Sequence, residues 1–221
     1  MTTAVRSVLD HDLHMVEDDL LRLGDRVDSA IRRALQSLAE RNAGLARQII
    51  ADDQHCNDMR FQIEEACFTA IATQQPAARD LRALVAAMNI ITDLERMADH
   101  AAGIAEIVLR MGHEPLLKPL IDLPRMVDQC REMLRLALEA YVRRDADLAR
   151  AVAERDDVID GLYQQIFREL LSFMLEDPRT TTRALYLLFA AHNVERMGDH
   201  ITNIAERVIF MAVGELKELN V

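Results

Sequence analysis

Two acidic pairs recur in this chain at a spacing that lets each pair act on one ligand. Glu95 and Asp99 are four residues apart, as are Glu195 and Asp199. On a helix this sets both carboxylates on one face, with Cβ atoms roughly 6 Å apart. Two further pairs, Asp53 with Asn57 and Asp156 with Asp160, share the spacing. Asp53 and Asp99 lie equally far from Pro76, and so do Asn57 and Glu95. In the same way Asp156 with Asp199, and Asp160 with Glu195, straddle the Asp177-Pro178 step. If each proline marks the turn of an antiparallel helical hairpin, equidistant residues stand at one height. Three carboxylates and an amide then gather in the first half, and four carboxylates in the second.

Such gatherings need a reason. Two unit charges about 4 Å apart repel by roughly 4 kcal/mol at an effective dielectric near 20. Protonation, arginine neighbours or a bound cation relieve that repulsion. All-oxygen donors suit Mg²⁺, Mn²⁺, Ca²⁺ or iron. The competing reading is a solvated acidic stripe neutralised by Arg96 and Arg196. His100 and His200 follow the aspartates about 100° round the helix, and Glu106 and Glu206 lie seven residues further on. These four are peripheral candidates, whereas His11, His14, His55, His113 and His192 read as ordinary. A ferritin-like di-iron site calls for Glu-xx-His on two helices, and the spacing here is Glu-xxx-Asp-His. Neither a nucleophile with its base nor a glycine-rich phosphate loop is present. Arg79 and Arg82 after Pro76, and Arg179 and Arg183 after Pro178, stand where helix N-termini bind anions. Arginines near a turn also serve as surface ion-pair partners.

The elements that must position these residues read as helices throughout. The chain has 221 residues, half of them hydrophobic, no Trp, and only seven Gly and five Pro. Those prolines, at 76, 115, 119, 124 and 178, leave the long proline-free stretches that helices need. Apolar residues recur at helical spacing from Leu13 to Leu38, with Asn42 and Gly44 as breakers. Further helices are expected over 45–73, 78–111, 124–143, 147–175 and 180–213, with Gly112 and Gly214 as C-caps. The expected fold is all-α: two tandem, pseudo-symmetric antiparallel three-helix bundles made of six long helices. The units fall at 1–112 and 124–221, joined by a Pro-containing linker over 113–123. Met88, Met97, Met126, Met133, Met197 and Met211 sit at core spacings and read as filling.

The net charge of −11 disfavours nucleic acid and anionic membranes as partners. Three cysteines in helix interiors, with no CxxC pair, read as reduced thiols of a cytoplasmic protein. The N-terminus lacks a signal-peptide pattern, and no apolar run approaches a membrane span.

An internal repeat organises the whole. Residues 93–106 align with 193–206 with eight of 14 positions identical, among them Glu-Arg-Met-x-Asp-His. With Arg79-Asp-Leu-Arg82 and Asp177-Pro-Arg-Thr180, these segments resemble the PhoU family over nearly the full chain. The resemblance implies a non-enzymatic cytoplasmic regulator of phosphate homeostasis and uptake. Such a regulator represses the phosphate-starvation (Pho) response through the Pst transporter ATPase (PstB) and the sensor kinase PhoR. It also implies a homodimer only peripherally associated with membrane complexes, and bound metal ions (Fe, Mn, Mg or Zn). Carried onto this chain, the metal ligands are Asp53, Asn57, Glu95, Asp99, Asp156, Asp160, Glu195 and Asp199. Asn57 stands where a carboxylate is expected, and Gly103 where the second half has Asn203, so the second half is expected to bind metal more tightly. Other readings are a metal-dependent enzyme acting on a phosphate compound, and a purely structural helical adaptor.

Overall fold

The structure, a computed structural model, describes residues 2–214. Met1 and residues 215–221, the extreme ends of the two expected units, lie outside the described residues. Among the described residues seven α-helices follow one another: α1 (Thr2–Glu40), α2 (Ala43–Gln74), α3 (Ala78–Met111), α4 (Asp122–Arg143), α5 (Ala146–Ala153), α6 (Asp156–Glu176) and α7 (Thr181–Val213). A single 3-10 turn over Pro178–Thr180 leads into α7. The described residues contain no strand.

The turns form for local reasons. Arg41 takes a left-handed conformation (φ 52°), and the Asn42 side chain accepts a hydrogen bond from the Leu45 amide at 3.0 Å, capping α2. Gln75, also left-handed, ends α2 immediately before Pro76, which has no amide proton to continue a helix. Gly112 and Gly214 end α3 and α7 at positive φ, where side chains are costly. At the second hairpin Asp177 accepts from the Arg179 amide at 3.0 Å, and the Thr180 hydroxyl donates to the Asp177 carbonyl at 2.7 Å.

Helices α3 and α7 are the centre of the molecule and share its most extensive contact. Leu20, Leu23, Val27 and Ile31 of α1 are fully buried, as are Leu84, Ile90, Leu94 and Met97 of α3. Each such side chain stabilises the fold by about 1.5–3 kcal/mol. Buried positions repeat between the halves, Val27 with Cys130, Ile49 with Val152, Ile63 with Ile166 and Met97 with Met197. One continuous apolar cluster includes residues of both units, so the two bundles are fused side by side through α3 and α7. The expected cysteine environment holds: Cys56, Cys67 and Cys130 are buried and free, and burial pushes the Cys56 thiol up to about 11.

One expected helix, 147–175, is divided. Around Glu154 and Arg155 the backbone tightens: the Arg155 amide bonds to the Val152 carbonyl, and the Val158 amide to the Arg155 carbonyl. Such i to i−3 bonding bends the chain between α5 and α6. No proline or glycine lies there, so the cause is tertiary. The break falls immediately before Asp156, which enters the interior.

Candidate functional site

In the first half α2 and α3 pack side by side and bring Asp53, Asn57, Glu95 and Asp99 together as their heights require. Burial, then the charges of Asp99 and Glu95, push the Asp53 carboxyl up to about 6. One Asp53 oxygen is held weakly by the Asn57 amide at 3.5 Å, while the other, Oδ1, is buried and accepts no hydrogen bond. Glu95 is raised by burial and by Asp99, against the lowering effect of Arg96, Arg60 and His200. Arg96 lies 3.7 Å from Glu95 and 3.5 Å from Asp99, so the arginine neighbour expected from the sequence is in place. Arg60 of α2, unforeseen from the sequence, reaches Glu95 at 4.0 Å.

The second half is built differently. Asp160 is raised by burial and by Asp199, and Glu195 by burial and Asp199, with Asp160 adding to it. The charges of these three carboxylates reach one another. Asp156 does not join them in the same way. It is 5% exposed and seated against α7, where the Thr202 hydroxyl donates to its Oδ2 at 3.3 Å. A Cβ added to Gly198 would stand 2.5 Å from Asp156 Oδ1, so the missing side chain is what lets the carboxylate in. Arg196 holds Asp199 at 2.6 Å, and His192, read as ordinary from the sequence, holds Glu195 at 3.1 Å.

The two sites meet at the seam between α3 and α7. His100 and His200 face each other there with ring centroids 5.5 Å apart. His200 Nδ1 is 3.0 Å from Asp93 Oδ1, which also accepts from Asn203 at 3.2 Å. His100 Nδ1 is 3.0 Å from Asn193 Oδ1. A Cβ on Gly103 would crowd that same Asn193 oxygen at 2.9 Å, which explains why glycine stands opposite Asn203 in the repeat. Sequence reasoning gave Asp93 and Asn193 no role; their matching place at the head of the repeated segment is the signal that could have found them. Glu106 pairs with Arg110 one turn along at 3.0 Å, and Arg179 pairs with Asp177 at 2.9 Å, as surface arginines at a turn do.

The donor chemistry is all oxygen, which suits hard cations, and the buried Oδ1 of Asp53 accepts no hydrogen bond. The spacing must still close: among the described residues, no group of three or more His, Cys, Asp or Glu stands ready to hold an ion.

These features define an internally duplicated helical bundle carrying one paired-carboxylate cluster per half. A family model described as the PhoU domain matches residues 20–108 and again 123–208. A PhoU homologue of Pseudomonas putida, named a phosphate-specific transport system accessory protein, is 37% identical over 97% of this chain and 84% of its own length. Its counterpart from Zymomonas mobilis is 39% identical over 93% of this chain and 87% of its own. The crystal structure of PhoU from Pseudomonas aeruginosa superposes with a TM-score of 0.88 at 35% identity, covering 93% of this chain and 99% of that one. The phosphate transport system regulatory protein PhoU from Streptococcus pneumoniae gives 0.89 at 32% identity, over 96% of this chain and all of that one. The chain belongs to the PhoU family.

Proposed function

We propose that this protein is a cytoplasmic, non-enzymatic regulator of phosphate homeostasis and uptake that binds metal ions through its two carboxylate clusters. In this reading it restrains the phosphate-starvation response by contacting the Pst transporter ATPase, PstB, and the sensor kinase PhoR, and it works as a homodimer. Family membership supports the phosphate role, since relatives are named as accessory or regulatory proteins of phosphate-specific transport. No helix among the described residues is long and apolar enough to cross a membrane, in keeping with peripheral association. Exposed apolar side chains, Phe61 and Phe68 on α2 and Phe167, Leu171 and Leu175 on α6, offer faces for protein partners.

The observation that carries the metal half of the reading is Asp53. A half-buried carboxyl, raised by burial and then by its acidic neighbours, with an oxygen that accepts no hydrogen bond, gains from an arriving cation. Asp53, Glu95 and Asp99, with Asn57, would hold an ion in the first half; Asp160, Glu195 and Asp199, with Asp156, in the second. Bound cations would neutralise adjacent carboxylates and let helix faces approach an anionic partner. The purely structural adaptor is the alternative, and Arg60 and Arg96 beside Glu95 favour it, since they already supply positive charge.

Two measurements test the proposal. Metal analysis of protein purified without chelator is expected to find transition or alkaline-earth ions; metal-free protein supports the adaptor. Pull-down with PstB and PhoR compares wild type with the Glu95→Ala/Asp99→Ala/Glu195→Ala/Asp199→Ala variant. Undiminished capture by the folded variant detaches the carboxylates from partner recognition.

A further inference from the structure

Helices α1 and α4 form between them a trough of about 640 Å³, walled by residues of these two helices alone. They run antiparallel. Arg131 grips Asp28 with hydrogen bonds of 2.7 and 2.8 Å, and Leu138, further along α4, meets α1 one turn earlier at Gly24. A Cβ on Gly24 would stand 2.5 Å from the Leu138 Cδ1 methyl, so the glycine lets that leucine close against α1. Leu21, Leu134, Leu138 and Val142 give the trough its apolar lining, and Val142 is 43% exposed. On α4 the trough extends from Asp128 to Arg143, roughly 22 Å at the helical rise. Since α1 opens one half of the molecule and α4 the other, the trough exists only because the halves are joined.

We propose that this trough docks a basic amphipathic helix of a protein partner. Its shape suits a helix: two side-by-side helices with apolar residues between them accept a third, whose apolar stripe enters the groove. Its charge suits a basic one. Five acidic side chains and three arginines line it, and every arginine is already engaged by the lining. Arg131 holds Asp28 at 2.7 Å, Arg135 holds Glu132 at 2.9 Å and Glu139 at 3.0 Å, and Arg143 holds Glu139 at 2.8 Å. Asp25 and Asp128 make no ion pair among the described residues, although the charge of Asp128 reaches Arg131. The two aspartates occupy one position of the repeat, by the register that pairs Val27 with Cys130, so duplication sets one on each wall. Lysines or arginines on both flanks of the partner's apolar stripe would meet them. The same acids repel nucleic acid and anionic lipid, and a second copy of this chain, at −11, would bring like charge.

This inference rests on the reading that the protein acts through protein contacts, and the test separates the two. The probe is a synthetic stapled helix of roughly 15 residues, the length of the trough, with a leucine stripe flanked by lysines. Its binding to the full-length protein is measured by fluorescence anisotropy, beside a control peptide carrying glutamates for the lysines. The lysine peptide alone is expected to bind, one per chain. Asp25→Asn/Asp128→Asn should weaken it roughly fivefold, the scale of two screened ion pairs, and Val142→Gln should weaken it less. All three positions are exposed, so the fold survives these changes. Phe68→Gln, on α2, should change nothing. Absence of binding, binding indifferent to the trough substitutions, or equal weakening by Phe68→Gln overturns the inference. A peptide that splits a dimer in sedimentation also overturns it, because a second copy then fills the trough. PstB and PhoR are captured in parallel. Capture by wild type that Asp25→Asn/Asp128→Asn leaves undiminished overturns the inference and leaves the regulatory reading standing. Capture of neither by wild type overturns that reading, and the peptide alone then decides the trough.

Discussion

Asp53 and Asp156 occupy matching places in the two halves and have opposite surroundings. Asp53 is half-buried, raised by that burial and then by the charges of Asp99 and Glu95. Asp156 is buried against α7, accepting a hydroxyl from Thr202. The difference turns on small changes in the facing helix. Ala98 presents a methyl group where Gly198 presents none, and Ala102 stands where Thr202 donates. Duplication preserved the helices and their apolar register, while single side chains on the facing helix redirected one carboxylate. A shared scaffold therefore does not imply a shared site.

That comparison can be broken most forcefully at the metal. Asp160 puts a charged ligand beside Glu195 and Asp199 where the first half has the amide of Asn57, so Asp199→Ala is expected to reduce tightly held metal more than Asp99→Ala. A difference of about tenfold in affinity is the scale for one charged ligand. Equal losses in competitive chelator titrations would reverse the ranking.

The seam offers a smaller contrast. His200 bonds to a carboxylate and His100 to an amide. Hydrogen bonds to charged partners contribute more, so His200→Ala should cost about 2 kcal/mol in urea unfolding and His100→Ala about 1.

Gly198→Ala sharpens the comparison directly. The new methyl must expel the Asp156 carboxylate, costing about 1–2 kcal/mol despite better helix propensity. In an Asp156→Ala background the same substitution should cost nothing, and additive costs in that cycle would count against the account.

The smallest effect is a pH dependence at Asp53. Its folded value, about 6, lies above the ordinary 3.8. The folded state therefore binds more protons between those values, and its stability falls as pH rises through that window. Asp53→Asn should stabilise metal-free protein at pH 8 by about 1 kcal/mol, allowing for solvent screening of a partly exposed group. The gain should vanish below about pH 4, where both states are protonated. A gain constant from pH 4 to pH 8 would remove the charge explanation.

Much of this molecule was legible beforehand. Helix α3 runs over Ala78–Met111 as its apolar spacing and Gly112 required, and the hairpins turn at Pro76 and Pro178. The clustering of Asp53, Asn57, Glu95 and Asp99 followed from distance to the proline alone. The break between α5 and α6 was not legible, because Glu154 and Arg155 are ordinary helix formers. His192 looked unremarkable since it has no counterpart in the repeat, where Thr92 stands.

Helix length, turn position and the repeat are local or periodic properties, set by steric limits on the backbone and by apolar spacing along it. The sequence alone determines them, and with them the height of every acidic pair. How a carboxylate is partnered depends instead on what the neighbouring helix places within 3 Å of it. That distance is fixed only when α3 and α7 pack and the halves share one core. Tertiary structure alone decided that Asp53 meets the charges of Asp99 and Glu95, and that Asp156 meets Gly198 and Thr202.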